Sequence, residues 1–246
     1  QILDFSKEME MVIDVGMPIR FTALYNCRVI CYKGKIICIR AKTSLAREGN
    51  YREYRHFQAW PHAAGVSMFS LPNQGNLSRC SAPFGAGFIL DLVDKSGKRS
   101  RPLRIGWEIC QELWDIKNMS SSLYGDFGCH LIVNASASYW ELRKLETIND
   151  MIKGISLRGG ACYAYSNLIG CDGQRYIFSG RSCIYDNGKL VCMTSQNLDE
   201  VQMITHTIHP AKVDEHRALM GIRLDLSVLE QQSSASGNMS SKFLVL

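Results

Sequence analysis

Ten apolar runs, each four to eight residues long, recur along this 246-residue chain: Met11–Val15, Arg28–Cys31, Ile36–Ile39, Phe88–Val93, Leu103–Cys110, His130–Asn134, Ala161–Ser166, Arg181–Tyr185, Leu190–Met193 and Gln202–Thr207. Runs of that length suit strands and are too short for core helices. Tyr32-Lys33-Gly34 and Asp186-Asn187-Gly188 separate pairs of them and are hairpin words. Helical spacing fits Gln111–Asn118 and Trp140–Arg158, the latter through Leu142, Leu145, Ile148, Met151 and Ile152. Hairpins mixed with strand-to-helix connections predict a layered α/β domain, and the length suffices for a full core. Gln1 to Met11 reads as the tail of a helix feeding the first strand.

One of the ten cysteines stands apart. Cys110 closes the run from Leu103, where the pattern turns polar and helix-compatible at Gln111-Glu112-Leu113-Trp114. A thiol at a strand-to-helix junction can be exposed at a sheet edge, with backbone N–H groups of the next turn facing whatever it attacks. Lys42 closes another run, Lys35 to Ala41, and a lysine there could protonate a leaving amine or hold an oxyanion. Cys27, Cys31, Cys38, Cys162, Cys183 and Cys192 lie inside strand-like runs with no doublet spacing. Reduced, buried thiols fit better than a disulfide framework or a zinc site.

The formal charge of +5 is dispersed, and its densest cluster, Lys95-Ser96-Gly97-Lys98-Arg99-Ser100-Arg101, reads as a solvated turn. No aromatic residues interleave with it, which argues against nucleic-acid binding. No stretch of eighteen apolar residues and no signal peptide is read, so a soluble cytoplasmic protein away from membranes is expected. From Leu219 the pattern fades, and Gln231 to Asn238 is polar and low in complexity. The domain is therefore expected over residues 1–218, with 219–246 a linker or disordered tail.

Four blocks occur in order: Lys42-Thr43-Ser44-Leu45-Ala46-Arg47-Glu48-Gly49-Asn50-Tyr51-Arg52-Glu53, then Glu108-Ile109-Cys110-Gln111-Glu112-Leu113-Trp114, then Asn134-Ala135-Ser136-Ala137-Ser138, then Ser166-Asn167-Leu168-Ile169-Gly170-Cys171-Asp172-Gly173. Asp14-Val15-Gly16-Met17-Pro18, Tyr25-Asn26-Cys27-Arg28-Val29-Ile30 and Pro83-Phe84-Gly85 support them. Together they resemble the glutaminase domain of glutamine-dependent NAD synthetases, in the nitrilase (carbon–nitrogen hydrolase) superfamily. The resemblance runs from about Asp14 to about Gln196 and more weakly to Arg217. It implies the nitrilase-like four-layer α-β-β-α sandwich, here short of its first strand, and domains that associate through one helical face.

The resemblance also implies the chemistry. Cys110 matches the nucleophile, which would form a glutamyl thioester, and Lys42 matches the lysine that supports the oxyanion beside a backbone N–H. Glu53 matches the acidic residue that orients the lysine and polar substrate groups. Tyr51 matches a tyrosine of the glutamine pocket. Ser138 and Lys144 match positions that hold the amino-acid end of the substrate, with Arg143 an alternative cation. Gly170-Cys171-Asp172-Gly173 is read as a structural turn, and Trp60 and Trp114 as packing residues.

Several positions depart from the family pattern. Its catalytic glutamate lies in a Pro-Glu-Leu-like block for which Gln1 to Met11 has no match; Glu8 and Glu10 lack the context. Gln111 stands where relatives carry Glu, Trp107 where they carry a small residue, and Ser179 where they carry Asp. The pyrophosphate loop of the ATP-using synthetase domain has no counterpart, so ATP and Mg would belong to that domain and no cofactor is expected in this chain. The expected partners are glutamine, the synthetase domain and a second copy of the chain. The reading is of an incomplete copy, with an amidase or a catalytically dead nitrilase-fold association module as alternatives to a working glutaminase.

Overall fold

The computed structural model describes residues 1–61, 64–71, 81–93, 101–197, 201–227 and 243–246. The chain divides into two compact units, Gln1–Phe88 with Ala235–Leu246, and Ile89–Ser234.

The first unit begins with helix α1 (Ile2–Glu8) and a five-stranded sheet. Its strands are β1 (Ile13–Arg20), β2 (Leu24–Tyr32), β3 (Lys35–Ala41), β4 (Ser67–Ser70) and β5 (Ser81–Gly85), ordered β1-β2-β3-β5-β4. β2 and β3 form the expected hairpin; Lys33 and Gly34 both take positive φ, 48° and 76°, as a tight turn between twisted antiparallel strands requires. β4 and β5 were not legible as apolar runs. β5 contains Pro83, yet it buries Ala82 and Phe84 completely, and Phe84 packs edge-on to Tyr25 and Trp60. Trp60 is thus a core residue, as its sequence context suggested.

In the second unit the strands run β13-β12-β9-β8-β7-β6: β6 (Gly87–Leu92), β7 (Leu103–Ile109), β8 (Leu131–Ser136), β9 (Cys162–Asn167), β12 (Cys183–Asp186) and β13 (Lys189–Met193). β10 (Ile169–Cys171) and β11 (Ile177–Ser179) make a separate small hairpin. β7, β8 and β9 are parallel and in register, Ile109 opposite Ala135 and Ala135 opposite Ser166. Crossovers through helices α2 (Met119–Gly125) and α3 (Lys144–Gly159) make that parallel pairing possible. The predicted β12–β13 hairpin forms, with Asn187 and Gly188 at φ 51° and 74°.

Three expectations need correction. Gln111–Asn118 is not one helix: a 3-10 turn spans Cys110–Leu113 and α2 starts only at Met119. Nor does a helix start at Trp140, because Tyr139 bridges Phe178 and the Trp140 N–H donates to the Ile177 carbonyl at 2.7 Å, holding the chain extended. Arg143 then turns at φ 63° and α3 begins at Lys144. Gln202–Thr207 forms no strand; its recorded ties to the sheet are a bond from the Cys192 thiol to the Thr205 carbonyl and the His206–Asp186 pair at 3.0 Å.

Helix α4 (Pro210–Leu219) docks through Arg217, whose buried guanidinium donates to the carbonyls of Gly159, Gly128 and Cys129. Beside it lies His130, 5% exposed, whose Nδ1 accepts the Arg104 N–H at 3.0 Å and whose Nε2 faces Asp214 at 3.4 Å. That acceptor role fixes a neutral imidazole, and burial lowers its pKa. Most of the expected tail, with the basic cluster before Arg101, lies outside the described residues. Among the described residues no helix is long and apolar enough to cross a membrane.

Candidate active site

β7 is buried continuously from Ile105 to its end at Ile109, and there the backbone changes hand. Cys110 is half-buried at φ 47°, an uncommon conformation for a residue with a side chain. Two carboxylate or amide oxygens hold the turn open: Glu112 Oε2 accepts the Ile109 N–H at 2.7 Å, and Asn134 Oδ1 accepts the Cys110 N–H at 3.1 Å. At the first residues of a 3-10 turn the backbone N–H groups have no partner in their own helix, and here side-chain oxygens supply one to Ile109 and Cys110.

Behind the thiol lies a buried polar chain. Glu108 is fully buried; its Oε1 accepts the Ser120 N–H at 2.7 Å and its Oε2 accepts the Tyr163 hydroxyl at 2.7 Å. Tyr163 in turn accepts from Asn134 Nδ2 at 3.0 Å. Burial, reinforced by the Glu108 charge, raises the Tyr163 pKa well above the usual phenol value, so the hydroxyl stays a donor.

Ser138 lies just past β8, 4% exposed, in a loop stapled by one side chain. Asn167 Oδ1 accepts the Ser138 N–H at 2.7 Å, while Asn167 Nδ2 reaches the Ser138 carbonyl, the Ser179 hydroxyl and the Gly180 carbonyl at 3.1, 2.9 and 2.8 Å. The Ser179 hydroxyl also donates to the Ser138 carbonyl at 3.1 Å, a bond that an ionised Asp there could not make. Lys144 is placed next to this loop: its ammonium pairs with Glu141 at 2.6 Å and sits 4.0 Å from the Tyr139 ring centre. Arg143 is exposed. Of the Gly170 to Gly173 word, read as a turn, Gly170 and Cys171 lie in β10, opposite Phe178 and Ile177, and the turn starts at Asp172, whose Oδ1 accepts from the N–H groups of Gln174, Arg175 and Tyr176. Those bonds hold the Asp172 carboxyl below its ordinary pKa.

In the first unit, Lys42 and Glu53 come together. Lys42 follows β3, 2% exposed, and its Nζ donates to Glu53 Oε2 at 2.6 Å. The same oxygen accepts the Ala46 N–H at 2.8 Å, and Glu53 Oε1 accepts from Asn26 Nδ2 at 2.7 Å. Lys42's own peptide is clamped, its N–H on the Asn26 carbonyl and its carbonyl taking the Trp60 N–H. Tyr51 is half-buried on the intervening loop, its N–H bonded to the Glu48 carbonyl at 3.1 Å.

The sequence offered no role for Asn26, Glu108, Asn134, Tyr163 or Asn167. Four of these lie inside the matched words Tyr25-Asn26, Glu108-Ile109-Cys110, Asn134-Ala135 and Ser166-Asn167. A polar residue inside such a word is the signal that could have found them. Tyr163, in a plain apolar run, gives none.

The family model of carbon–nitrogen hydrolases matches residues 1–218. Among curated proteins, the chain is 37% identical over 219 residues to the glutamine-dependent NAD(+) synthetase of Drosophila melanogaster, covering 87% of this chain and 26% of that protein. The Saccharomyces cerevisiae protein of the same name is 35% identical over 235 residues, covering 94% of this chain and 32% of the relative. The chain therefore spans about a quarter to a third of these relatives. A glutamine-dependent NAD(+) synthetase from Cytophaga hutchinsonii superposes with a TM-score of 0.60 at 27% identity, over 78% of this chain and 29% of that one. A carbon–nitrogen hydrolase from Helicobacter pylori superposes with a TM-score of 0.64 at 12% identity, over 99% and 75%. The latter likeness is one of fold, and it agrees with the nitrilase-like class expected from the sequence.

Proposed function

The chain belongs to the carbon–nitrogen hydrolase family, and we propose that it is the glutaminase part of a glutamine-dependent NAD synthetase. The Cys110 sulfur attacks the side-chain amide carbon of glutamine, the amide nitrogen takes up a proton and leaves as ammonia, and water cleaves the thioester to glutamate and free thiol. Lys42 is assigned to support the oxyanion, with Glu53 fixing the lysine. The observation that carries this reading is the placement of Cys110: a half-buried thiol at the carboxyl end of a parallel strand, at positive φ. Ammonia would pass to an ATP-using synthetase domain, to which ATP and Mg belong; association with a second copy and a cytoplasmic location complete the proposal.

Tyr51, Ser138 and Lys144 are assigned to the glutamine pocket. Free glutamine presents a carboxylate and an ammonium, and a selective site must pair both. Lys144, held against Tyr139 next to Ser138, suits the carboxylate better than exposed Arg143. The test is labelling by a diazoketone analogue of glutamine, read by peptide mapping. Cys110 should be modified first, glutamine should protect it, and Lys144→Ala should weaken that protection. Equal labelling of Cys171 and Cys192 overturns the nucleophile. Equal protection by a short-chain amide puts the amidase reading ahead.

A further inference from the structure

Cys110 is held at positive φ, a backbone conformation strained for a residue with a side chain, and such strain persists only where the surroundings over-determine it. The Cys110 N–H depends on one amide oxygen, Asn134 Oδ1. An asparagine amide can present either its oxygen or its NH2 to a neighbour, and the two ends are nearly isosteric. Here the choice is made at the other end. Asn134 Nδ2 needs an acceptor, and it meets the Tyr163 hydroxyl oxygen at 3.0 Å. That hydroxyl can accept because its proton is committed to Glu108 Oε2 at 2.7 Å. The carboxylate is anchored by the Ser120 N–H, the second residue of α2. Ser136 adds a second donor to Asn134 Oδ1 at 2.9 Å.

We propose that the buried Glu108–Tyr163–Asn134 chain is the positioning device of the nucleophile, setting the Asn134 amide so that Cys110 keeps its positive-φ conformation and presents its thiol. The three are positioning residues, since their recorded bonds reach the peptide of Cys110 and not its sulfur. The proposal rests on Cys110 as the reactive thiol. With Tyr163→Phe, Glu108 loses a donor and Asn134 Nδ2 loses its acceptor, so the amide orientation that serves the Cys110 N–H loses its buried anchor and rests on the Ser136 and Cys110 donors alone. All three residues are buried and would read, one by one, as ordinary core polar groups.

The test compares the iodoacetamide alkylation rate of Cys110 with that of exposed Cys171 in the same folded chain. Iodoacetamide carries no glutamine-like groups, so the result is independent of the substrate assigned above; failure of the diazoketone to label wild-type Cys110 would count against the glutaminase reading alone. Tyr163→Phe should slow Cys110 tenfold or more while leaving Cys171 unchanged. Glu108→Gln, of equal volume, should do the same, because its NH2 faces either the Ser120 N–H or the Tyr163 hydroxyl. An unchanged Cys110 to Cys171 ratio in either folded variant overturns the proposal. Should neither variant fold, hydrogen exchange on the wild-type chain decides: the Cys110 amide should be as protected as that of Glu108 inside β7, and free exchange overturns it.

Discussion

Lys42 donates its ammonium to Glu53 at 2.6 Å, and the carboxylate is further engaged by the Ala46 N–H and Asn26 Nδ2. The two partners are not equally exposed to loss. Lys42 is 2% exposed and Glu53 12%. Removing the carboxylate leaves a charge in the interior, while removing the ammonium leaves a carboxylate with two neutral donors. Glu53→Ala should therefore cost about 3–5 kcal/mol, and Lys42→Met less, about 1–3 kcal/mol. Urea unfolding of both variants measures the order; the reverse order would show that Glu53, not Lys42, is the more dependent partner.

Thiol burial predicts a labelling map. Burial pushes the Cys27, Cys129, Cys162 and Cys183 thiols up to about 12 and raises those of Cys31 and Cys38. Among the cysteines of the described residues, iodoacetamide at pH 8 should reach Cys110, Cys171 and Cys192 in the folded chain, and the six buried thiols only after denaturation. Mass spectrometry of the quenched protein reads the pattern, and early modification of Cys129 or Cys162 would contradict the packing of the second unit.

His130 should give the second unit an acid-side weakness. Its folded pKa is lowered by burial, so below the ordinary value of about 6.5 the unfolded chain binds a proton that the folded chain refuses. Its contribution is present above that value and is lost as pH falls toward the folded pKa. Protonation would also convert Nδ1 from acceptor to donor, against the Arg104 N–H. Asp214, Arg217 and Arg104 surround the ring. The fall in urea midpoint between pH 7.5 and 5.5 should be smaller in His130→Gln than in the wild type; equal falls would remove His130 as the cause.

Two glycines of α3 should respond in opposite directions. A Cβ on Gly159 would meet the Tyr124 ring, which cannot swing aside while its hydroxyl bonds the Cys162 carbonyl at 2.7 Å. Gly159→Ala should destabilise by about 1–3 kcal/mol. Nothing lies within 4 Å of a Cβ on Gly154, and Gly154→Ala should stabilise by about 0.5–1 kcal/mol through the helical backbone alone. Thermal melts of the two variants should move apart.

Long, regular features were legible in the sequence. Apolar runs of strand length and the Lys33-Gly34 and Asn187-Gly188 turns announce themselves because they are decided locally. The boundaries that failed are those decided by distant partners. Ile177 and Phe178 hold Tyr139 and Trp140 extended where local spacing asks for helix. β5 forms around Pro83 because Phe84 belongs to an aromatic cluster. At the candidate site the residue types that do chemistry could be found from the matched words. Of the residues that hold them, Tyr163 could not, since it reaches Glu108 across 55 positions of sequence. A core tyrosine in an apolar run carries no mark of that bond.

The in-register parallel strands have one more consequence. Cys110, Ser138 and Asn167 follow or end three neighbouring strands, β7, β8 and β9, at their shared carboxyl end. No peptide cut from around the thiol contains its surroundings, because the groups that shape it arrive from chain segments made later. A ribosome must finish all three strands before the cysteine differs from any other. Its reactivity therefore doubles as a timer for assembly: a pulse of alkylating agent during refolding would record the moment the sheet closes ranks.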